Sequence, residues 1–369
     1  MTAVEGVPAG GASLDLPYLV ALTGIRGLGS RHIRTLVGRL GTARAVWEAP
    51  VKELRAGDVS QEAVAALLAA RSRGLPGAAA AVPRALAKGY QVVSYRDHGY
   101  PRWLADLEDA PLVLYLWGSI LPEDQKAVAV VGTRQASPYG LGVAERLARS
   151  LAAAGLTIVS GLARGIDTAA HRGALAAGGR TIAVLGSGLD RLYPADNRTL
   201  ATHVARAGAV MSEYSPWVEP RGYFFPHRNR IIAGMSLGVL VVEAGRRSGA
   251  ITTADHALVQ GKPVMAVPGP VTSPSSCGCN RLIRDGAHLV ECAEDVLAVL
   301  GTEAVVRHRL PLLDEAEAGV LDLLQGECSH SELLAQSGLE AGELAATLLS
   351  LEMQGLIRRL PGQTYIRVC

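Results

Sequence analysis

The chain changes its hydrophobic rhythm twice, and each change marks a new unit. Residues 14–75, after a Gly/Ala-rich start, carry apolar positions at helical spacing with no strand pattern. The segment RSRGLPGAAAAVPRALAKGYQVVSY (71–95) reads as a passage, and beyond it short apolar runs alternate with helical stretches. The runs are QVVSY (91–95), LVLYLWG (112–118), AVAVV (127–131), LTIVS (156–160), TIAVLG (181–186), AVMSE (209–213), LGVLVVEA (237–244) and PVMAVPG (263–269). Helices are predicted near 138–154, 167–177, 195–206, 227–234 and 250–260, with a last strand–helix stretch ending near 300. Continuous β-branched strands separated by helices indicate a Rossmann-like, doubly wound, mostly parallel sheet. From residue 312 the pattern becomes helix (314–324), helix (331–336), helix (341–354) and a two-stranded wing turning at Pro361-Gly362, which is a winged helix. The expected units are a small helical domain (14–80), the α/β domain (81–305) and the winged helix (312–369).

Charge separates the same units. Residues 14–80 hold nine Lys/Arg against five Asp/Glu, residues 81–311 twenty-four against nineteen, and residues 312–369 three against nine. Lysine occurs only at positions 52, 88, 126 and 262, so the cations are mainly arginine. Arginine suits forked contacts to phosphate, although a GC-rich coding sequence gives the same bias. There is no apolar run of 18 residues, and MTAVEGVPAGGASLD lacks the basic and apolar regions of a signal peptide. Five widely spaced cysteines suit reduced thiols, so a cytoplasmic, membrane-free location is expected. Cys277, Cys279, His288 and Cys292 are spaced poorly for a tetrahedral metal clip, and no metal or cofactor is expected.

Ligands of such sheets bind beyond the carboxyl ends of the strands. The loops there are VGTRQAS (131–137), SGLARGIDTAAH (160–171), GSGLDRLYPADN (186–197) and EAGRRSGAITTA (243–254), with FPHRNRIIAG (225–234) between them. Glycines let amides approach a ligand, and the helix N-termini that follow favour anions. Asp167 and Asp196 stand at expected N-caps. Arg134, Arg164, Arg228, Arg230, Arg246 and Arg247 are expected to converge on one edge of the sheet. Among the aromatics nearby, Tyr223, Phe224, Phe225 and Trp217 could stack on bases, or Phe225 could belong to the core. In the N-terminal unit, GIRGLGSRHIRTLVGRLGT (24–42) puts a glycine-rich turn before a helix with Ile33, Leu36, Val37 and Leu40 on one face. It reads as a SAM-like or helix-hairpin-helix element able to meet a DNA phosphate, or as a bundle that only packs.

Catalytic patterns are weak. No Gly-x-Gly-x-x-Gly follows AVAVV, LTIVS does not end in an acidic ribose ligand, and no Walker lysine loop is present. Gly234-Met235-Ser236-Leu237-Gly238 has the spacing of a nucleophile elbow, but a helix precedes it and a strand follows, the reverse of what an elbow requires. His171 reads as a structural histidine. Asp167 and Glu243 are the carboxylates to consider for chemistry, and neither has a convincing partner.

Taken in order, VVGTRQAS, SGLARGIDTAAHRGAL, VLGSGLDRLYPADN, SEYSP, FPHRNRIIAGMS, VVEAGRRSGAITTADHAL, VPGP and NRLIRDGAHLV resemble the DNA-processing protein A (DprA/Smf) family over most of 90–295. The resemblance implies a homodimeric protein, not an enzyme, that binds single-stranded DNA without reading its sequence. It further implies loading of RecA recombinase on that strand in natural transformation, with repair as a second role. By motif position Arg134 is the phosphate-binding arginine, Gly161 to Asp167 the anion pocket with Arg164 and Gly165, and Arg228-Asn229 the pair after Phe225-Pro226. Arg230, Arg247, Ser248 and Gly249 complete the candidate DNA-binding set. Cys277 and Cys279 replace a Ser/Gly-rich loop of the family and are left without a role. The acidic winged helix would repel phosphate, which favours contact with other competence or single-strand-binding proteins over duplex binding. The rival reading is a phosphoribohydrolase-like enzyme on the same sheet. Such enzymes carry Pro-Gly-Gly-x-Gly-Thr before a catalytic Glu, where this chain has Glu243-Ala-Gly-Arg-Arg-Ser-Gly-Ala.

Overall fold

The computed structural model describes residues 15–57, 59–302, 315–324, 326–353, 356–360 and 362–367. The Gly/Ala-rich start, the expected boundary between 305 and 312, and Pro361 of the predicted wing turn lie outside the described residues. Two compact units are present, Met1–Val306 and Arg307–Cys369.

The first unit opens with six helices: α1 (Leu16–Thr23), α2 (Ser30–Leu40), α3 (Ala43–Glu48), α4 (Val51–Arg55), α5 (Gln61–Arg73) and α6 (Pro76–Ala87). On α2 the predicted face is the buried one: Ile33, Leu36 and Val37 are enclosed and Leu40 packs against them. Each such side chain contributes about 1.5–3 kcal/mol on leaving water. The stretch read as a passage contains α6, a helix with Pro83 inside it that hands over to the sheet through Gly89 at positive φ.

The sheet alternates with helices as β1 (Gln91–Ser94), α7 (Arg102–Ala105), β2 (Val113–Gly118), β3 (Ala127–Val131), α8 (Pro138–Ala153), β4 (Thr157–Ser160), α9 (Ile166–Ala176), β5 (Thr181–Val184), α10 (Arg198–Ala207) and β6 (Ala209–Ser212). It continues as α11 (Phe224–Gly234), β7 (Val239–Val241), α12 (Gly249–Val259), β8 (Val264–Ala266), α13 (Cys277–Arg284), β9 (His288–Leu289) and α14 (Ala293–Leu300). The nine strands lie in the order β1-β2-β6-β5-β4-β3-β7-β8-β9. All pairings from β6 to β9 are parallel, and β2 pairs antiparallel with both β1 and β6. From β3 the chain winds outward through β4, β5 and β6, and then returns to place β7 on the other side of β3. That reversal opens a crevice at the carboxyl ends of β3 and β7.

Side chains alternate between the two faces of the strands. Val128 and Val130 pack with α8, α9 and α14, whereas Ala127, Ala129 and Val131 pack with α11, α12 and α13. The N-terminal helices are not a separate core. Leu19, Leu22, Ile33 and Leu36 belong to one apolar cluster with Leu112, Val113 and Tyr115 at β2, Val210 of β6 and Val204 of α10.

The second unit comprises α15 (Glu315–Leu323), β10 (Cys328–Ser329), α16 (His330–Ser337), α17 (Ala341–Met353), β11 (Ile357–Leu360) and β12 (Thr364–Arg367). Its small sheet has the order β10-β12-β11, around a core of Leu333, Leu344, Leu351 and Ile357. Ser329 and Glu332 start α16 with a reciprocal capping box. This is the predicted winged helix, with β10 added. Among all described residues no helix is long and apolar enough to cross a membrane.

His171 of α9 is fully buried, and its Nδ1 lies 2.7 Å from Thr181 Oγ1, which itself donates to Ile158 O. Thr181 must therefore accept from the ring, so Nδ1 carries a proton, while the buried Nε2 has no partner that would hold a second one. Burial, helped by the nearby Arg228 charge, pushes its pKa down to about 3. The unfolded chain takes up this proton below about pH 6.5 and the folded chain does not, so stability is lost as pH falls from there toward 3. Denaturant unfolding between pH 6.5 and 5 is expected to show the wild type losing up to about 1.4 kcal/mol per pH unit more than His171→Gln. Parallel pH profiles for the two proteins would refute this assignment.

Candidate nucleic-acid interface

The crevice between β3 and β7 is a cavity of about 1010 Å³. Its walls come from the loops after both strands, from the start of α11 and from the start of α12. Backbone contact holds these loops together. Thr133 N donates to Glu243 O at 2.7 Å, and Ile166 N donates to Thr133 O at 3.2 Å. Two glycines make this approach possible. A Cβ on Gly132 would lie 2.4 Å from the Ile166 side chain, and one on Gly165, at φ +77°, would lie 2.3 Å from Thr133 O. The residues between β3 and α8 are thus fixed at their base, and Arg134 projects from them exposed.

Beneath Arg134 lies Arg228, only 4% exposed. Its Nη1 donates to Gly161 O at 2.9 Å and also to Val184 O, and its Nε donates to Asn229 Oδ1 at 3.2 Å. It therefore ties α11 to the ends of β4 and β5. A Cβ on Gly161 would lie 2.5 Å from the guanidinium, so this glycine makes room for it. Burial first, and then the neighbouring Arg134 charge, push the Arg228 pKa down to about 10, with Asp167 opposing. It stays a cation at neutral pH. Asn229 continues the brace, donating to Gly249 O at 3.1 Å.

Both candidate carboxylates are occupied. Asp167 Oδ2 accepts from Gly161 N at 3.1 Å and Ala163 N at 3.3 Å; burial raises its pKa and Arg228 counteracts this. Glu243 accepts from Ser137 N at 2.9 Å with Oε2 and from the Ser275 hydroxyl with Oε1, clamping the start of α8. The Ser236 hydroxyl donates to Ile232 O, which makes it the helix-end residue expected. Cys277, Cys279, Cys292 and Cys328 are free thiols, and among the described residues no group of three or more His, Cys, Asp or Glu is placed to hold a metal ion.

The structure brings Arg134, Phe225, Arg228, Asn229, Arg247, Ser248 and Gly249 onto one cavity wall. Arg247 is exposed like Arg134, and Ser248 caps α12 by accepting from Ala250 N. Gly161 and Gly165 act one layer below, through the close approaches they permit. Three expectations need correction. Arg230 is 2% exposed and faces away, its Nη2 2.6 Å from Glu213 Oε2 and its Nε 3.1 Å from Asp109 Oδ2, because two residues along a helix turn a side chain to the other side. Burial alone would raise the Glu213 pKa, but Arg230 and His227 hold it below the usual carboxylate range. Arg164 lies off the cavity wall and pairs with Asp196 at 2.6 Å, while Arg246 is exposed beside the wall without forming it. Asp167 and Asp196 do not cap: Gly165 holds the N-cap of α9 and Asn197 that of α10.

The aromatics divide in the same way. Phe225 is half-buried, with the Arg134 guanidinium 5.2 Å from its ring centroid and Tyr193 5.5 Å away at 49°. Phe224 lies against Tyr214 and Tyr223, and Trp217 faces Arg84 toward the N-terminal helices instead. Tyr193 lines the cavity and was not anticipated; an aromatic in the glycine-rich loop 186–197 was the available signal.

A family profile described as DNA recombination-mediator protein A matches residues 91–301, and one described as DprA winged helix domain matches residues 307–363. DNA processing protein DprA of Streptococcus pneumoniae is 45% identical over 205 residues, 56% of this chain and 72% of that protein. Protein Smf of Escherichia coli is 41% identical over 284 residues, 73% of this chain and 75% of that one. The X-ray structure of the S. pneumoniae protein superposes with a TM-score of 0.66 at 35% identity, covering 76% of this chain and 95% of that one. A structure describing the single-stranded DNA binding mode of DNA processing protein A from Helicobacter pylori gives 0.52 at 31%, covering 57% and 95%. With its α/β unit and its winged helix both matched, and the strand-end loops in the family's order, this chain belongs to the DNA processing protein A (DprA/Smf) family.

Proposed function

We propose that the carboxyl edge of the sheet binds the backbone of single-stranded DNA without reading its sequence and without cleaving it. The observation that carries this is the division of charge at the cavity. Arg228 is consumed by carbonyl groups and Asp167 and Glu243 by donors, whereas Arg134 and Arg247 remain exposed on the wall. Two free guanidiniums beside an aromatic face suit a flexible polyanion with bases. Asp167 and Glu243 are both engaged by donors of the fold, so neither candidate carboxylate stands free as a general base, which argues against the phosphoribohydrolase-like alternative. The H. pylori relative, described by its single-strand binding mode, supports the same ligand. Family membership supports the finer reading: a homodimer that loads RecA recombinase on the bound strand in natural transformation and in repair. The winged helix, with nine acids against three cations, then serves contacts with other proteins of that process.

Mobility shifts with single-stranded and duplex oligonucleotides over a salt series test the reading. Single strands are expected to bind more tightly, and Arg134→Ala is expected to shallow the log–log salt slope by about 0.7. An unchanged slope removes Arg134 from the interface, and turnover of nucleoside monophosphates by the wild type would overturn the non-catalytic reading. Arg230→Met provides the contrast. It leaves Glu213 buried without its main counter-charge, so unfolding stability is expected to drop by about 3 kcal/mol, while the salt slope stays at the wild-type value.

A further inference from the structure

A second set of arginines lies outside the cavity, on the helical face that α8 and α9 present to solvent. Arg146 and Arg149 are exposed on α8, one turn apart, and Arg172 is exposed on α9. The two helices touch at this level. A Cβ on Gly173 would lie 2.2 Å from Glu145 O and 3.0 Å from Arg149 N, which places Arg172 beside the turn that bears Arg146 and Arg149. None of the three has a hydrogen bond or ion pair within the described residues, and the exposed carboxylate among them is Glu145. On the opposite helical face most arginines are matched, Arg102 of α7 excepted. There Arg230 is held by Glu213 and Asp109, and Arg281 and Arg284 both meet Asp285.

Both helices begin at the carboxyl edge of the sheet and run down its face. At 1.5 Å per residue, Arg172 lies about 9 Å below the start of α9, and Arg146 and Arg149 about 12 and 16 Å below the start of α8. Uncompensated guanidiniums thus stand on the two helices that descend from the cavity-bearing edge of the sheet. We infer that the α8–α9 face is an exit track, on which Arg146, Arg149 and Arg172 hold the backbone of the same single strand after it leaves the cavity. The inference rests on the single-strand reading above and adds a second, separable segment to it. The occupant is a phosphate backbone because the three cations have no carboxylate held against them and lie on the helices that begin at the edge proposed to bind the strand. An acidic protein surface is the competing occupant.

The test compares oligothymidylates of about six nucleotides, near the short end of single-strand site sizes, and about twenty, beyond their long end, on the full-length wild type and on Arg146→Ala/Arg149→Ala/Arg172→Ala. All three positions are exposed in helices, where alanine is well tolerated. The variant is expected to bind the short strand as the wild type does. On the long strand its salt slope should be lower by about 2, three contacts at about 0.7 each. Wild-type behaviour at both lengths would overturn the track and leave the face to an acidic protein. Equal weakening at both lengths would overturn its separateness from the cavity. A wild type that binds neither strand would sink the underlying single-strand reading along with it.

Discussion

The buried guanidinium of Arg228 is the constraint on which the candidate site depends. It spans the carbonyl ends of β4 and β5 and holds α11 against them, in a space that exists because residue 161 has no side chain. Hydrogen bonds to a charged donor contribute about 1.5–3 kcal/mol each when formed, and an unpaired buried charge costs several. With that brace in place, the Phe225 ring is presented to Arg134 and Asn229 reaches the start of α12. The cavity wall is therefore braced from beneath by Arg228 and Asn229.

A division of labour follows. Charges that the fold needs are matched within it, as in the partly buried Arg180 with the fully enclosed Asp124, or the buried Arg230 with Glu213. Arginines without a partner in the fold are exposed, as are Arg134 and Arg247 at the switch-point edge and Arg146, Arg149 and Arg172 on the helices that descend from it. Phosphate contacts made by exposed arginines are strongly salt-dependent and sequence-blind, which suits the proposed role of accepting any strand.

The fold was legible because a parallel sheet buried on both faces writes its strands as continuous apolar runs; AVAVV and TIAV are fully enclosed as that pattern requires. The loops that form the cavity were legible for a related reason, since ligands of such sheets collect at strand ends. Individual side chains were less so. Arg228 and Arg230 stand two residues apart in one motif, yet one faces the cavity and the other a carboxylate pair, and only the helix's rotation decides which. Arg164 looked free because its partner Asp196 comes thirty-two residues later. The role of Gly132, Gly161 and Gly165 as spacers between loops could not be separated from amide donation to a ligand. The alanine-rich stretch around Pro76 and Pro83 read as a break, although Pro76 falls in the first turn of a helix, where proline is well accommodated.

The apolar cluster shared by the six N-terminal helices and the sheet carries a wider implication. The family profile begins at residue 91, yet Leu112, Val113 and Tyr115 depend on residues before it for cover. The front helices and the sheet should melt as one cooperative body, with no intermediate in which the sheet stands alone. A chain begun at the first strand would present a greasy face to water and self-associate. Loss or gain of these helices in the course of descent would have to be accompanied by recolouring of the β2 surface, residue by residue, from apolar to polar.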